Sequence, residues 1–339
     1  MTQIQRIALA SRPQGTPVPD NFSLETATLP APGPGEVQVR TIWLSLDPYM
    51  RGRMDDAKSY ADPVPIGGTM EAGAVGVVTQ SNDANFSSGD IVLGGFGWTS
   101  GANAKASEIR KVDPAIAPIS TALGVLGMPG HTAWVGLNDI LQAKSGETIV
   151  VSAATGAVGS LVGQLAKHRG LRTIGVAGGA DKCAYAEAEL GYDICLDHRQ
   201  DNLAARIRDA APKGVDCYYE NVGGITLEAT LNNMNTFGRI AVCGMIAWYS
   251  GQGIDKAMPG PKIWRAILTR RLRAQGFIIF DHNDRHGAFT SEVAPLVADG
   301  TIQYRESVTE GLENAPAAFL QLLSGGNFGK QLVRVGPDP

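Results

Sequence analysis

The sequence ETIVVSAATGAVGS, residues 147–160, decides the fold. An apolar strand-like segment runs through a glycine-containing loop into AVGSLVGQLAKHRG, residues 157–170, which has the pattern of an amphipathic helix. This order is typical of a dinucleotide-binding βαβ unit, in which the helix N-terminus attracts a pyrophosphate. The residues expected to approach the phosphates are Gly156, Ala157, Val158 and Gly159.

Further strand-like segments alternate with helical patterns after this loop, which predicts a parallel sheet with helices on both faces. The six predicted strands are 147–153, 172–178, 193–198, 215–222, 238–244 and 273–279. We predict an α/β fold in which a Rossmann doubly wound sheet occupies residues 123–299. Residues 1–122 show short strands broken by turn signals and predict a β-rich domain, onto which residues 300–339 pack back.

The composition points to small-molecule chemistry. The chain of 339 residues has a net charge of −4 and no dense Lys/Arg run, which argues against a nucleic-acid partner. No segment approaches the length of about 18 apolar residues that a membrane span needs, and the amino terminus lacks a signal-peptide pattern. We expect a soluble cytoplasmic protein with no membrane partner.

The cysteines indicate a reducing compartment and no bound metal. They show neither a C-x-x-C pair nor the paired histidines of a zinc site. Thiols in this arrangement are typical of buried side chains in a reduced protein. The four residues are Cys183, Cys195, Cys217 and Cys243.

The end of the second predicted strand indicates which nicotinamide cofactor is used. An NAD enzyme usually places an acidic residue there, about 20 residues after the glycines. Here the strand ends on Gly178 and Gly179, and the cation Lys182 follows shortly after, so NADP(H) is favoured. His198 and Arg199 either add donors to the same pocket or lie on the surface. For Lys182, the alternative is a solvated side chain in the first turn of a helix.

Ordered motifs along nearly the whole chain resemble the zinc-independent medium-chain dehydrogenase/reductases. The similarity is greatest to the group of prostaglandin reductases, plant 2-alkenal reductases and bacterial curcumin reductases. The motifs are LSLDPYMRGRM (44–54), GVLGMPGHTAW (124–134), AATGAVG (153–159), AGGADK (177–182), YYENVGG (218–224), GRIAVCG (238–244), QGFII (275–279) and ENAPAAF…GGNFGK (313–330).

The resemblance implies a GroES-like amino-terminal catalytic domain, a homodimer, and NADPH-dependent reduction of the double bond of α,β-unsaturated ketones or aldehydes. It also implies a set of cofactor contacts, among which His198 stands where many relatives have tyrosine. These contacts are Thr132, Gly178, Lys182, His198, Asn221, Cys243, Gly244, Tyr249, Phe277, Ile279, Asn327 and Gly329.

Three tyrosines match the catalytic and substrate-lining tyrosines of this group. Hydride attack on the β-carbon leaves negative charge on the carbonyl oxygen, and a positioned donor stabilises that charge. Tyr249 is the candidate donor, acting directly or through the ribose hydroxyl. Tyr49 and Tyr60 match tyrosines of the substrate cleft, although packed aromatic side chains with satisfied hydroxyls are the alternative.

Three other functions remain open from the sequence. A quinone reductase on the same scaffold would reduce quinones rapidly but not isolated enone double bonds. A non-catalytic NADPH-binding protein would keep the fold without the chemistry, and an intact Tyr249 argues against it. A zinc alcohol dehydrogenase is the weakest hypothesis, because no cysteine precedes Cys183.

Overall fold

A computed structural model gives the structure of the chain and describes residues 1–338. The backbone divides into two compact units. Unit 1 contains Met1–Gly124 and the segment from Glu306 onwards, and unit 2 contains Val125–Arg305. Each unit has its own apolar core, as is usual for a domain.

The strands are β1 (Thr2–Leu9), β2 (Phe22–Leu29), β3 (Glu36–Ser45), β4 (Ala74–Ser81), β5 (Ile91–Gly94), β6 (Gly101–Lys105), β7 (Arg110–Lys111), β8 (Thr148–Ser152), β9 (Arg172–Ala177), β10 (Ile194–Asp197), β11 (Val215–Glu220), β12 (Met234–Val242), β13 (Arg273–Gly276), β14 (Glu306–Glu310) and β15 (Lys330–Arg334).

The α-helices are α1 (Met50–Arg53), α2 (Met128–Val135), α3 (Gly159–His168), α4 (Ala180–Ala188), α5 (Leu203–Ala210), α6 (Gly224–Leu231), α7 (Gly260–Arg270), α8 (His286–Ala298) and α9 (Ala315–Leu323). Short 3-10 helices occupy Pro19–Asn21, Ala106–Glu108, Ile119–Leu123, Ile246–Trp248, Ile279–Arg285 and Leu312–Asn314, and a π-helical turn occupies Gly136–Ile140.

The predicted doubly wound sheet is confirmed in unit 2. Its strand order is β10-β9-β8-β11-β12-β13, and every neighbouring pair is parallel. The chain enters the sheet at β8 and winds outward first to one edge and then to the other. The carboxyl ends of β8 and β11 therefore flank the switch point, where open α/β sheets bind their ligands.

Successive side chains of β8 pack alternately into two apolar cores, one on each face of the sheet. Ile149 and Val151 pack with α2, α3 and α8, whereas Val150 packs with α5, α6 and α7. All three side chains are fully buried. A strand covered on both faces needs apolar residues at every position, which explains the continuous apolar run in the sequence.

Two predicted strand boundaries differ from the structure by three or more residues. β12 begins at Met234, four residues before the predicted start, because the pairing between β11 and β12 shifts register over an irregular segment. Phe237 lies in that segment with a left-handed backbone (φ +65°). β13 ends at Gly276, before the predicted end, and the chain soon enters a 3-10 helix.

Unit 1 is built mainly on antiparallel strands, although β14 and β15 pair in parallel. β1 and β2 form a two-stranded hairpin, and a second sheet has the order β14-β15-β3-β4-β5-β7 with β6 also paired to β3. The carboxy-terminal strand β15 lies antiparallel to β3, with Leu332 opposite Ser45. The core contains a stacked pair, Phe22 and Trp98, whose ring centres are 5.6 Å apart.

A buried ion pair joins the segment after β3 to the start of β15. Lys330 Nζ donates to Asp47 Oδ1 at 2.6 Å and to the Leu46 carbonyl at 2.8 Å. The Ser45 hydroxyl donates to the second oxygen of Asp47. The side chains of Lys330 and Asp47 are only 4% and 8% exposed, so each charge depends on the other.

We expect Asp47→Asn to lower the free energy of unfolding by about 3–5 kcal/mol, because Lys330 would keep a buried charge without its counter-ion. Glu25→Gln is the matched control, since Glu25 pairs with Arg6 at 2.6 Å but both side chains are partly exposed. The control should cost less than about 1 kcal/mol. Urea denaturation measures both variants, and equal losses would contradict the argument.

Candidate active site

The loop between β8 and α3 forms an anion cradle. A Cβ placed on Gly159 would come within 2.3 Å of the Ala153 carbonyl oxygen, so only glycine allows the helix to begin this close to the loop. Gly156 is less constrained, with the same oxygen 3.2 Å from its Cβ position. The side chain of Val158, the N-cap residue of α3, makes no capping hydrogen bond. The amides of Ser160 and Leu161 already donate to the carbonyls of Gly156 and Val158. A bound phosphate would therefore meet the amides of loop residues 157–159, just before the helix.

Basic side chains gather beyond the end of β9. A Cβ on Gly178 would lie 2.9 Å from His198 Nε2 and 3.3 Å from Arg199 Nε, so both side chains rest against this glycine. Asp197 fixes the arrangement, because its Oδ1 accepts hydrogen bonds from the amides of Gly179 and Arg199, each at 2.9 Å. These hydrogen bonds also lower the pKa of Asp197.

Lys182 shares this cationic environment. Burial lowers the pKa of Lys182, and the nearby charge of Arg199 lowers it further. Burial likewise lowers the pKa of His198, with Arg199 and Lys182 acting in the same direction and Asp197 opposing them. Cations that repel one another around two glycines are stabilised by a shared anion, and a 2′-phosphate has the required charge.

Glu220, which the sequence reasoning missed, organises the switch point. Its buried carboxylate accepts hydrogen bonds from the Tyr218 hydroxyl at 2.7 Å and from the Ser152 hydroxyl at 3.0 Å. The amides of Val222 and Gly223 also donate to it, at 2.6 and 2.9 Å. An acid at the end of a buried apolar strand, in YYENVGG, is the sequence signal that could have identified it.

Asn221 is held at the same edge of the sheet. Its amide donates to the Ser152 hydroxyl at 2.7 Å, and its Nδ2 donates to the Ser152 carbonyl at 2.8 Å. The amides of Cys243 and Gly244 donate to the Glu220 carbonyl at 2.9 and 3.1 Å. The ends of β8, β11 and β12 are therefore tied together. Burial raises the pKa of Cys243 to about 12, so its thiol is neutral.

Tyr249 projects back to this edge from the turn after β12. The Met245 amide donates to the Tyr249 hydroxyl at 3.2 Å. A Cβ on Gly244 would lie 3.0 Å from that hydroxyl and 3.3 Å from the Asn221 carbonyl oxygen. Gly244 therefore makes room for the hydroxyl, and the structure brings Tyr249, Gly244 and Asn221 together as one polar group.

Three other predicted cofactor contacts lie in unit 2 with different local roles. The Thr132 hydroxyl donates to the Met128 carbonyl at 2.7 Å, within α2, and the Thr132 carbonyl accepts from the Tyr219 hydroxyl at 2.7 Å. Phe277 is half-buried and Ile279 is buried, both after the end of β13. The backbone of this segment follows directly from the carboxyl edge of the sheet.

Tyr49 and Tyr60 flank one cation in unit 1. Arg53 lies with its guanidinium carbon 4.3 Å from the Tyr60 ring centre and 5.6 Å from the Tyr49 ring centre. Burial is the main cause of the raised pKa of both tyrosines, so their hydroxyls keep their protons. The neighbouring Arg51 is buried and pairs with Asp55 at 2.6 Å.

The remaining predicted contacts, Asn327 and Gly329, form a tight turn before β15. Asn327 Nδ2 donates to the Gly329 carbonyl at 2.8 Å, and Gly329 has a left-handed backbone (φ +74°). Ser307 supports the turn by donating to the Phe328 carbonyl at 2.7 Å.

Two features are absent from the described residues. Residues 1–338 contain no group of three or more His, Cys, Asp or Glu side chains arranged to hold a metal ion. Among the helices in the same range, none combines the length and apolar character that crossing a lipid bilayer requires.

Two family models match the chain. The model described as the N-terminal domain of oxidoreductase matches residues 5–112, and the model described as zinc-binding dehydrogenase matches residues 157–294. Together they cover parts of both units.

Curated relatives match along almost the full length. The NADPH-dependent curcumin reductase of Escherichia coli K12 is 49% identical over 98% of this chain and 97% of its own. Prostaglandin reductase 1 of Rattus norvegicus is 39% identical over 98% and 100%. The NADP(+)-dependent 2-alkenal reductase of Nicotiana tabacum is 37% identical over 98% of both chains.

Solved structures also match the chain along nearly its whole length. CurA of Vibrio vulnificus in complex with NADPH has a TM-score of 0.94 and 45% identity over 98% of this chain and 100% of its own. The quinone oxidoreductase of Escherichia coli with NADPH has a TM-score of 0.78 at 22% identity, over 97% and 99%. At that identity the likeness shows the fold alone.

Proposed function

This chain belongs to the medium-chain dehydrogenase/reductases, in the group of the curcumin, prostaglandin and 2-alkenal reductases, and we propose that it reduces α,β-unsaturated ketones and aldehydes with NADPH. The observation that carries the proposal is the Tyr249 hydroxyl held beside Gly244 and Asn221 at the carboxyl edge of the sheet. A donor at this edge stabilises charge that develops on a substrate carbonyl oxygen.

The residues of unit 2 fit NADP(H). The cradle before α3 would hold the pyrophosphate, and Lys182, His198 and Arg199 would surround the 2′-phosphate near Gly178. When bound, NADPH supplies the hydride that the double bond accepts. We also propose that Asn221, Thr132, Cys243, Phe277 and Ile279 contact the nicotinamide and its ribose, and that Asn327 and Gly329 contact the phosphates.

The protein's part in the reaction is to position and polarise the substrate. Tyr249 donates a hydrogen bond to the substrate carbonyl oxygen, directly or through a ribose hydroxyl, and so stabilises the enolate. The amide of Met245 fixes the Tyr249 hydroxyl by donating to it. Tyr249 or water then supplies the proton that the α-carbon of the enolate gains. Tyr49 and Tyr60 contact the body of the substrate.

We propose that the reaction is independent of zinc. All four cysteines lie between residues 183 and 243, and none belongs to a metal-binding cluster among the described residues. The cysteines are free thiols, which suits the reducing environment of the cytoplasm.

Lys182→Ala should raise the NADPH Michaelis constant by about tenfold or more, because a charge-assisted hydrogen bond to the 2′-phosphate contributes roughly 1.5–3 kcal/mol. The NADH constant should change little, since NADH has no phosphate there. Lys213→Ala, which removes an exposed lysine of the same unit, is the control. Steady-state kinetics with both cofactors provides the measurement, and equal use of NADPH and NADH by the unsubstituted protein would refute the assignment.

Tyr249→Phe should slow the chemical step by roughly a hundredfold, the typical loss when one oxyanion donor is removed. NADPH affinity should stay close to its original value, because the ring is retained. Single-turnover NADPH oxidation with an enone provides the measurement, and a deuterium isotope effect from 4-deuterated NADPH identifies the hydride-transfer step. Tyr185→Phe is the matched control. An unchanged rate for that step would exclude the proposed role.

We propose that two copies of the chain form a homodimer through unit 2. Every residue of the edge strand β13 is exposed in the single chain, which leaves a row of backbone groups open for pairing. Helix α7 packs against the neighbouring strand β12 and exposes two large apolar side chains, Trp264 at 71% and Leu268 at 76%. Large apolar side chains at this exposure are typical of a protein interface.

Light scattering should therefore give twice the 35.6 kDa mass of one chain. The double variant Trp264→Glu, Leu268→Glu should shift the mass toward one chain, because charged side chains would have to be desolvated in the interface. Val308→Glu, which alters a 46% exposed apolar residue of unit 1, should leave the mass unchanged. A monomeric mass for the unsubstituted protein would contradict the proposal.

A further inference from the structure

We infer that Glu71 sets the charge preference for substrates by neutralising Arg53 beneath Tyr49 and Tyr60, so that uncharged aryl enones are preferred over enones that carry a carboxylate. The inference rests on the proposed function, in which these tyrosines contact the substrate. Glu71 is the specificity-determining residue, and it acts through Arg53.

Arg53 is the central cation of this region and is shielded from solvent. Its side chain is 4% exposed, although one of its neighbours, Tyr60, is 51% exposed. Its Nε forms an ion pair with the Glu71 carboxylate, and its Nη1 donates to the Ala61 carbonyl at 3.3 Å. The two tyrosine rings cover the guanidinium by cation–π contacts.

The other charges near the two tyrosines are also matched. Asp47 acts electrostatically on both hydroxyls, and Lys330 neutralises it at 2.6 Å. Arg51 is neutralised by Asp55 on the same short segment. Each of these three cations therefore has an acid as its partner, and Glu306 also acts on the charge of Lys330. Arg53, Arg51 and Lys330 thus offer no unpaired positive charge near Tyr49 and Tyr60.

A site without an unpaired positive charge disfavours an anionic ligand. A substrate carboxylate that enters such a site loses hydration without gaining a counter-ion. An aryl ring loses little hydration and packs against the tyrosines instead. Removing the charge of Glu71 would leave Arg53 as a cation without a counter-ion behind the tyrosine rings, and its charge would then attract a substrate carboxylate across that short distance.

The test compares two substrates that share one enone. They are 4-(3-oxobut-1-enyl)benzoate and its methyl ester, which differ in the distal charge and in one methyl group. Glu71→Gln should raise the ratio of kcat/KM for the acid to that for the ester by about tenfold, through the KM of the acid. Arg53→Gln should lower the ratio, because it leaves Glu71 as an unpaired anion. The double variant should return the ratio toward its original value.

Opposite shifts in the two single variants are the decisive result, and either variant alone still tests one sign if the other fails to fold. The NADPH KM should remain unchanged in both, whereas a general structural loss would move it. Glu25→Gln, which breaks the exposed pair with Arg6, should leave the ratio unchanged. Equal ratios in all variants that still reduce the ester would overturn the inference. Failure of the unsubstituted protein to reduce the ester would instead overturn the proposed function.

Discussion

The buried carboxylate of Glu220 is the interaction on which the candidate active site depends. Four donors from β8, β11 and the turn after β11 converge on it. A buried charge with this many hydrogen bonds is stable only when all its partners keep their positions. These hydrogen bonds fix the ends of the central strands. Asn221, Gly244 and Tyr249 are held in defined positions because they contact those strand ends. Preorganised donors of this kind lower a barrier without reorganising during the reaction.

Local patterns were sufficient to predict the fold, whereas the phosphate region stays a prediction. The loop from Ala153 to Gly159 and the pair Gly178–Gly179 lie within short segments. Glycine is required at Gly159 by the close approach of the Ala153 carbonyl oxygen and at Gly179 by a left-handed backbone (φ +104°). Alternating apolar strands and helices predicted the parallel sheet correctly, because burial on both faces leaves a continuous apolar run. The strand ends at Met234 and Gly276 differed, since a register shift and a 3-10 helix have no clear local signal.

Interactions between distant segments could not be predicted in the same way. Asp47 and Lys330 are 283 residues apart in the chain, and nothing in either motif indicates the pair. Glu71 and Arg53 lie on different segments of unit 1. The sequence predicts a substrate-lining role for Tyr49 and Tyr60 by resemblance, but it gives no sign of the charged pair beside them. Those charges are a property of the folded unit.

The cations around the proposed cofactor site lie close to one another, whereas those around the proposed substrate site are paired with acids. Around Gly178, cations lie close to one another, and burial together with mutual repulsion lowers the pKa of Lys182 and of His198. That imbalance favours an anionic cofactor. Around Arg53, each cation has an acid as its partner, and the balance favours a neutral substrate. Because electrostatic preference reflects the net charge that a ligand meets, one chain can bind a highly charged cofactor and still select an uncharged substrate.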